Sequence, residues 1–171
     1  MTMTPEFSRT FDIREAGGPP VVLEPTEAER KRLATRFQLA SIDEMRARLS
    51  VTGEGQVFEA RGQVEAKIMQ FCAISGEEFA VSINEPVALR FVPPENDYSP
   101  DEEIELTAAD CDEIEYEGTS FDLGEAVAQS LALAIDPFAE GPDADKARAE
   151  HNLAGDAASG PFAALAALKK D

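Results

Sequence analysis

Between Met45 and Phe91 apolar and polar residues alternate with period two, and this constrains the fold more than any other feature of the chain. In 45–51, Met45, Ala47, Leu49 and Val51 are apolar, while Arg46, Arg48 and Ser50 between them are polar. From 58 to 68 the even positions Phe58, Ala60, Gly62, Val64, Ala66 and Ile68 face one way, and Glu59, Arg61, Gln63, Glu65 and Lys67 the other. From 79 to 91 the odd positions Phe79, Val81, Ile83, Val87, Leu89 and Phe91 form a third apolar face, interrupted by Glu85. Successive side chains of a strand point to opposite sides, so each run predicts a half-buried strand. Gly53-Glu54-Gly55 and Ser75-Gly76-Glu77 supply the turns. Pro86 inside the third run predicts an edge or a bulge, and a bulge that reverses the facing accounts for Glu85. The pattern predicts an α+β fold: an antiparallel meander with one wet face, able to curl towards a barrel, flanked by two or three helices.

The flanks are helical or irregular. Residues 4–13 read as a short extended segment, Gly17-Gly18-Pro19-Pro20 as a breaker, and Val21-Val22-Leu23 as a brief strand. Thr26 is placed to cap a helix over about 26–38, with Glu27 and Glu29 in its first turn. Pro93-Pro94 begins a loop; Ile104, Leu106, Ile114 and Tyr116 suit short strands. Ser120 or Asp122 caps a second helix, in which Leu123, Val127, Leu131 and Ala134 align before Pro137. Residues 139–160 show no apolar period and read as a flexible linker. Pro161 then opens a terminal helix with Phe162, Leu165 and Leu168 on one side. The expected organisation is one domain over 1–138, a linker over 139–160 and an amphipathic tail over 161–171.

Charge is sorted along the chain. The 171 residues hold 15 Lys+Arg and 34 Asp+Glu, a formal net of -19. No Lys or Arg occurs between Arg90 and Lys146, and residues 91–145 contain 17 acids. The rest of the chain carries 17 acids against 15 bases and is nearly neutral. Such a segment is either a solubilising surface or a docking surface for a basic partner. It disfavours contact with phosphate backbones and with anionic lipid along its length. Asp110-Cys111-Asp112-Glu113 offers oxygens, but the twelve-residue calcium loop with its central Gly is absent.

Little here points to catalysis. The only histidine, His151, sits in the expected linker, so Cys72 lacks an evident base. Cys72 continues the inward even set and reads as a core cysteine. Cys111 sits among acids, which raise a thiol pKa. Two cysteines are too few for a disulfide scaffold or a four-Cys zinc site; one disulfide or two reduced thiols are the alternatives. No phosphate-binding glycine loop is present. No catalytic residue, metal or cofactor is therefore assigned. No run approaches the length of a membrane span, and Met1–Thr10 lacks the basic and apolar regions of a secretory signal, so a cytoplasmic protein without a membrane partner is expected.

Three places resemble the YceD family, a domain-of-unknown-function family named for large ribosomal RNA subunit accumulation. The first is the hairpin turn Cys72-Ala73-Ile74-Ser75-Gly76-Glu77-Glu78-Phe79. The second is Phe121-Asp122-Leu123-Gly124-Glu125, opening a helix that closes near Asp136-Pro137. The third is the ending Pro161-Phe162-Ala163-Ala164-Leu165-Ala166-Ala167-Leu168-Lys169. Many members carry Cys-x-x-Cys at the turn; here Ser75 takes the second place, and one thiol cannot make a zinc knuckle. Gly160 replaces the Asn that precedes the terminal Pro in the family, a mild change because Gly also serves as an N-cap.

The resemblance implies a non-enzymatic role in ribosome biogenesis supporting large-subunit (23S) rRNA accumulation. It also implies a neighbouring gene for a small basic large-subunit ribosomal protein. On the first reading such a protein is the partner, held by Asp101, Glu102, Glu103, Asp110, Asp112 and Glu113, with Pro161, Phe162, Leu165, Leu168 and Lys169 as an apolar anchor. A second reading has ribosomal RNA bound by a local basic patch of Arg46, Arg48, Arg61 and Lys67. A third is a hydrolase using carboxylates or Cys72. The first two involve no small-molecule substrate.

Overall fold

The computed structural model of the chain describes residues 5–94, 113–151 and 153. Its elements run β1 (Thr10–Asp12), a 3-10 turn (Ile13–Glu15), β2 (Val21–Leu23), α1 (Glu27–Arg36), β3 (Ser41–Glu54), β4 (Val57–Phe71), β5 (Glu78–Val92), β6 (Glu113–Glu115), β7 (Ser120–Asp122), α2 (Leu123–Ala134) and α3 (Ala144–Glu150). The fold is α+β, as the alternation predicts. A five-stranded sheet has the order β2-β3-β4-β5-β6, and β1 pairs with β7 in a second sheet. Among the described residues no barrel closes. Strands β2–β3 and β3–β4 are antiparallel, but β5–β6 is parallel. A parallel neighbour cannot be joined by a tight hairpin turn. The three alternating strands are consecutive neighbours, as expected of a meander, and the parallel β6 makes the whole sheet mixed.

The chain divides into two compact units. One comprises residues 5–69 and 80–135, the other 70–79 and, among described residues, 136–151 with Leu153. In the first unit, Met45, Ala47, Leu49 and Val51 of β3 are buried, as are Phe58, Ala60, Val64, Ala66 and Ile68 of β4. A register irregularity between Ile42 and Glu44 lets Ile42 also face the core although its parity differs. This bulge is why the visible alternation starts only at Met45. The β3–β4 turn is tighter than expected. Glu54 pairs with Val57, so the turn is Gly55-Gln56, with Gly55 at φ 63°. Gly53 stays in the strand opposite Phe58, whose ring lies 2.5 Å from where a Gly53 Cβ would be.

Facing does not reverse at Pro86. Ile83 and Val87 are both buried and Glu85 between them is exposed, so the expected bulge is not what places Glu85. The apolar period runs straight through and leaves one acid in the apolar stripe.

Aromatic rings close this core. Phe11 and Phe121 are register partners across β1–β7, with ring centroids 5.4 Å apart. Phe121 also stacks on Phe91 at 3.9 Å and meets Phe58 and Tyr116 within 5.9 Å. The Tyr116 hydroxyl donates to the Gln56 carbonyl at 2.8 Å, so its buried polar end is satisfied.

Both longer helices are capped by side chains. The Thr26 hydroxyl accepts from the Glu29 N–H, and the Glu29 carboxylate accepts from the Thr26 N–H, a reciprocal capping box. Asp122 accepts from the Glu125 N–H at 3.0 Å at the start of α2. Glu29 also takes a two-pronged bond from Arg9, at 2.7 and 2.8 Å. That guanidinium, together with the Thr26 N–H, holds the Glu29 carboxyl at about 2. A depressed carboxyl stabilises the fold above its unfolded pKa and loses that contribution as pH falls through the folded value. Glu29→Gln is expected to cost about 1–2 kcal/mol near neutral pH and to flatten the fall in melting temperature between about pH 5 and about pH 2. Parallel melting curves for the two proteins across that range would contradict this.

The second unit is small. Gln70 is buried, and its amide donates to the Asp136 carbonyl at 3.1 Å. The Ala73 N–H donates to the Ala139 carbonyl at 3.0 Å. Helix α3 falls inside the span read as a linker; Ala144 and Ala147 are its buried residues, and alanine gives too weak a period to mark a helix in sequence. Arg148 pairs with Asp145 and Glu140, which raise its pKa, Glu140 most.

Candidate functional site

The outer face of β3–β4 carries the basic residues singled out in the sequence. Register places Arg46 opposite Glu65, Arg48 opposite Gln63, Ser50 opposite Arg61 and Glu44 opposite Lys67. Arg46, Arg48, Ser50, Arg61, Gly62, Gln63 and Glu65 line a shallow depression of about 580 Å³. Gly62 sits where β3 passes close: a Cβ there would lie 1.9 Å from the Arg48 carbonyl oxygen. Three arginines thus share one depression, but two of them and the lysine already have acidic partners. Arg46 reaches Glu24 at 3.1 Å, Arg61 reaches Glu59 at 2.9 Å and Lys67 reaches Glu44 at 2.8 Å. Lys67 does not line the arginine depression; it lies with Arg46 along a neighbouring one of about 660 Å³ that also holds Glu24, Asp43, Glu44 and Glu65. Among the described residues Arg48 makes no ion pair.

The hairpin turn after β4 holds Cys72. The thiol is buried, as its even position predicts. Its sulfur accepts from the Ser75 N–H at 3.3 Å and the Ile74 N–H at 3.4 Å. The turn closes through Cys72 N–H to Glu77 carbonyl (2.8 Å) and Gly76 N–H to Cys72 carbonyl (2.9 Å), with Gly76 at φ 71°. The Ser75 hydroxyl, then its N–H, pull the Cys72 pKa down to about 7; N–H donors from Gly141 and Ile74 add to this against the effect of burial. Donors aimed at sulfur favour the thiolate. Among the described residues no three His, Cys, Asp or Glu side chains are grouped to hold a metal.

The second resemblance segment holds the fold together. Phe121 is the centre of the aromatic stack. Asp122, besides capping α2, accepts from the Arg9 N–H at 2.8 Å and the Ser8 hydroxyl at 2.5 Å. Gly124 lets the segment before β1 cross the helix: a Cβ there would lie 2.6 Å from the Arg9 nitrogen. Glu125 takes both prongs of Arg36, the nearer at 2.8 Å, and this guanidinium lowers the Glu125 pKa most. Those residues have structural work, which period reading could not reveal because each acts through a distant partner.

Of the proposed partner-binding residues, Glu113 lies in β6 and is paired with Arg90 at 2.6 Å. Asp101, Glu102, Glu103, Asp110, Asp112, Pro161, Phe162, Leu165, Leu168 and Lys169 lie outside the described residues, as does Cys111. Among the described residues no helix is long and apolar enough to cross a membrane.

The described residues form an α+β scaffold with a structured single-thiol turn and a clasped α2. The family model described as large ribosomal RNA subunit accumulation protein YceD matches residues 60–169. The chain belongs to the YceD family. No curated protein and no solved structure matches it. The family's description ties the chain to accumulation of large-subunit ribosomal RNA, and so to ribosomal components.

Proposed function

We propose that this chain is a non-enzymatic, cytoplasmic factor of large-subunit biogenesis that holds a basic ribosomal protein through its acid-rich segment. The observation that carries this reading is the charge partition: 17 acids and no Lys or Arg over residues 91–145, in a chain otherwise nearly neutral. An unassembled ribosomal protein is cationic and binds RNA indiscriminately. An acidic partner screens it and speeds its capture. The terminal segment, with Phe162, Leu165 and Leu168, adds an apolar anchor.

The test is affinity capture from salt-stripped large-subunit proteins, read by mass spectrometry at low and moderate salt. The expected result is one or a few basic ribosomal proteins, retained less as salt rises. Recovery of none under either condition overturns the reading.

One observation favours a second reading, direct contact with ribosomal RNA: Arg46, Arg48 and Arg61 line one depression. The acidic partners of Arg46 and Arg61 weigh against it, since a phosphate must displace them. A gel shift with a large-subunit RNA fragment at low salt, lost in Arg48→Ala with Arg61→Ala, would favour it.

A further inference from the structure

A groove of about 400 Å³ runs between β5–β6 and α2. Its strand side is residues 85–89 of β5, with Glu113 and Ile114 of β6. Its helix side is Ala126, Gln129, Ser130, Leu133 and Ala134, spaced at three and four residues along one flank of α2. Two polar side chains there are already occupied. Ser130 donates to the Ala126 carbonyl at 3.0 Å, and Gln129 donates to Glu125 at 3.0 Å. Glu113 is held by Arg90. What remains open to a ligand is apolar surface and negative charge.

Three observations mark it. Leu133 is 89% exposed, an unusual place for a leucine of an otherwise apolar helix. Glu85 is the one acid set into the apolar stripe of β5, and the facing is the same on either side of it. The last turn of α2 carries no basic residue, so its carboxyl-end carbonyls add negative potential beside Leu133.

We propose that this groove seats an apolar anchor residue of the basic partner, flanked by lysine or arginine. The inference rests on the function proposed above and assigns it a contact. A partner segment would lay a leucine or phenylalanine against Leu133, Leu89 and Ile114. Its cationic neighbours would meet Glu85 and the end of α2. Charge complementarity selects this occupant: Glu85 and the carbonyl end of α2 give the groove negative potential, and Arg90, the nearest base in sequence, is held by Glu113.

The probe is a pair of synthetic lysine-rich peptides of equal charge, one with a central Leu-Phe and the other with Ala-Ala, titrated against the full-length chain by fluorescence anisotropy. The anchored peptide is expected to bind about tenfold tighter, the factor that burial of one large apolar side chain gives. Leu133→Asp, at an exposed site, should abolish that difference with the fold retained by circular dichroism, and Glu85→Lys should weaken the anchored peptide further than the other. Equal binding of both peptides by the unaltered chain overturns the groove and leaves the acid-segment reading standing. No binding of either peptide overturns both. Sedimentation as a dimer that Leu133→Asp dissociates makes the occupant a second copy and also overturns it.

Discussion

Phe121→Ala is expected to lower the unfolding free energy by about 3–5 kcal/mol, the usual cost of emptying a large aromatic site in a core. Phe121 touches four rings: it stacks on Phe91 and Phe11 and lies edge-on or tilted to Tyr116 and Phe58. These rings come from β1, β4, β5 and the segment after β6, so the void cannot be filled by moving one neighbour. Two-state stabilities run near 5–15 kcal/mol, and a loss of this size takes a large share. Urea unfolding followed by circular dichroism reads it directly. A loss below about 1 kcal/mol would mean that the rings do not form the centre of the core.

Gly124→Ala should destabilise by about 1–3 kcal/mol, although the exchange usually favours a helix by about 1 kcal/mol. The sign reverses because of a backbone crossing. The added Cβ would lie 2.6 Å from the Arg9 nitrogen and 2.9 Å from the Phe7 carbonyl oxygen. Backbone cannot step aside as a side chain can. The segment before β1 would have to lift, loosening the Asp122 bonds to Arg9 and Ser8. The reading is Tm by calorimetry, with Asp122→Asn as a companion that weakens the same clasp without adding bulk. A rise in Tm for Gly124→Ala would show that the segment does not cross there.

Period two made β3, β4 and β5 legible because a half-buried strand writes its facing into alternate residues. Thr26 with Glu29 marked the start of α1, and Asp122 that of α2, because caps act locally. What escaped had non-local causes. Strand β6 pairs parallel with β5, and no local pattern distinguishes a parallel from an antiparallel partner. The bulge beside Asp43 hid the first part of β3. Buried Gln70 looks like any polar residue until Asp136 comes to it. Helix α3 packs through alanines.

The candidate sites divide in the same way. The sorted charge and the four bases of the sheet face were visible by counting. Their ion pairs to Glu24 and Glu44 were not, because Glu24 follows β2 and Glu44 lies on the opposite strand. The Cys72 turn was visible as a motif, and its N–H donors to sulfur were not. The groove by α2 went unseen because Leu133 reads as an ordinary helix residue until its exposure is known. The motif around Phe121 and Gly124 carried the family resemblance, yet its residues serve the fold.

Zero-length carbodiimide crosslinking with mass spectrometry tests the central claim most directly, because it joins a carboxylate only to an amine in salt-bridge contact. The full chain would be incubated with large-subunit assembly intermediates, crosslinked and digested. The account predicts links from acids between Glu95 and Glu117 to lysines of one basic large-subunit ribosomal protein. Absence of those links, with ultraviolet crosslinks to RNA at Arg46, Arg48 or Arg61 instead, would contradict it.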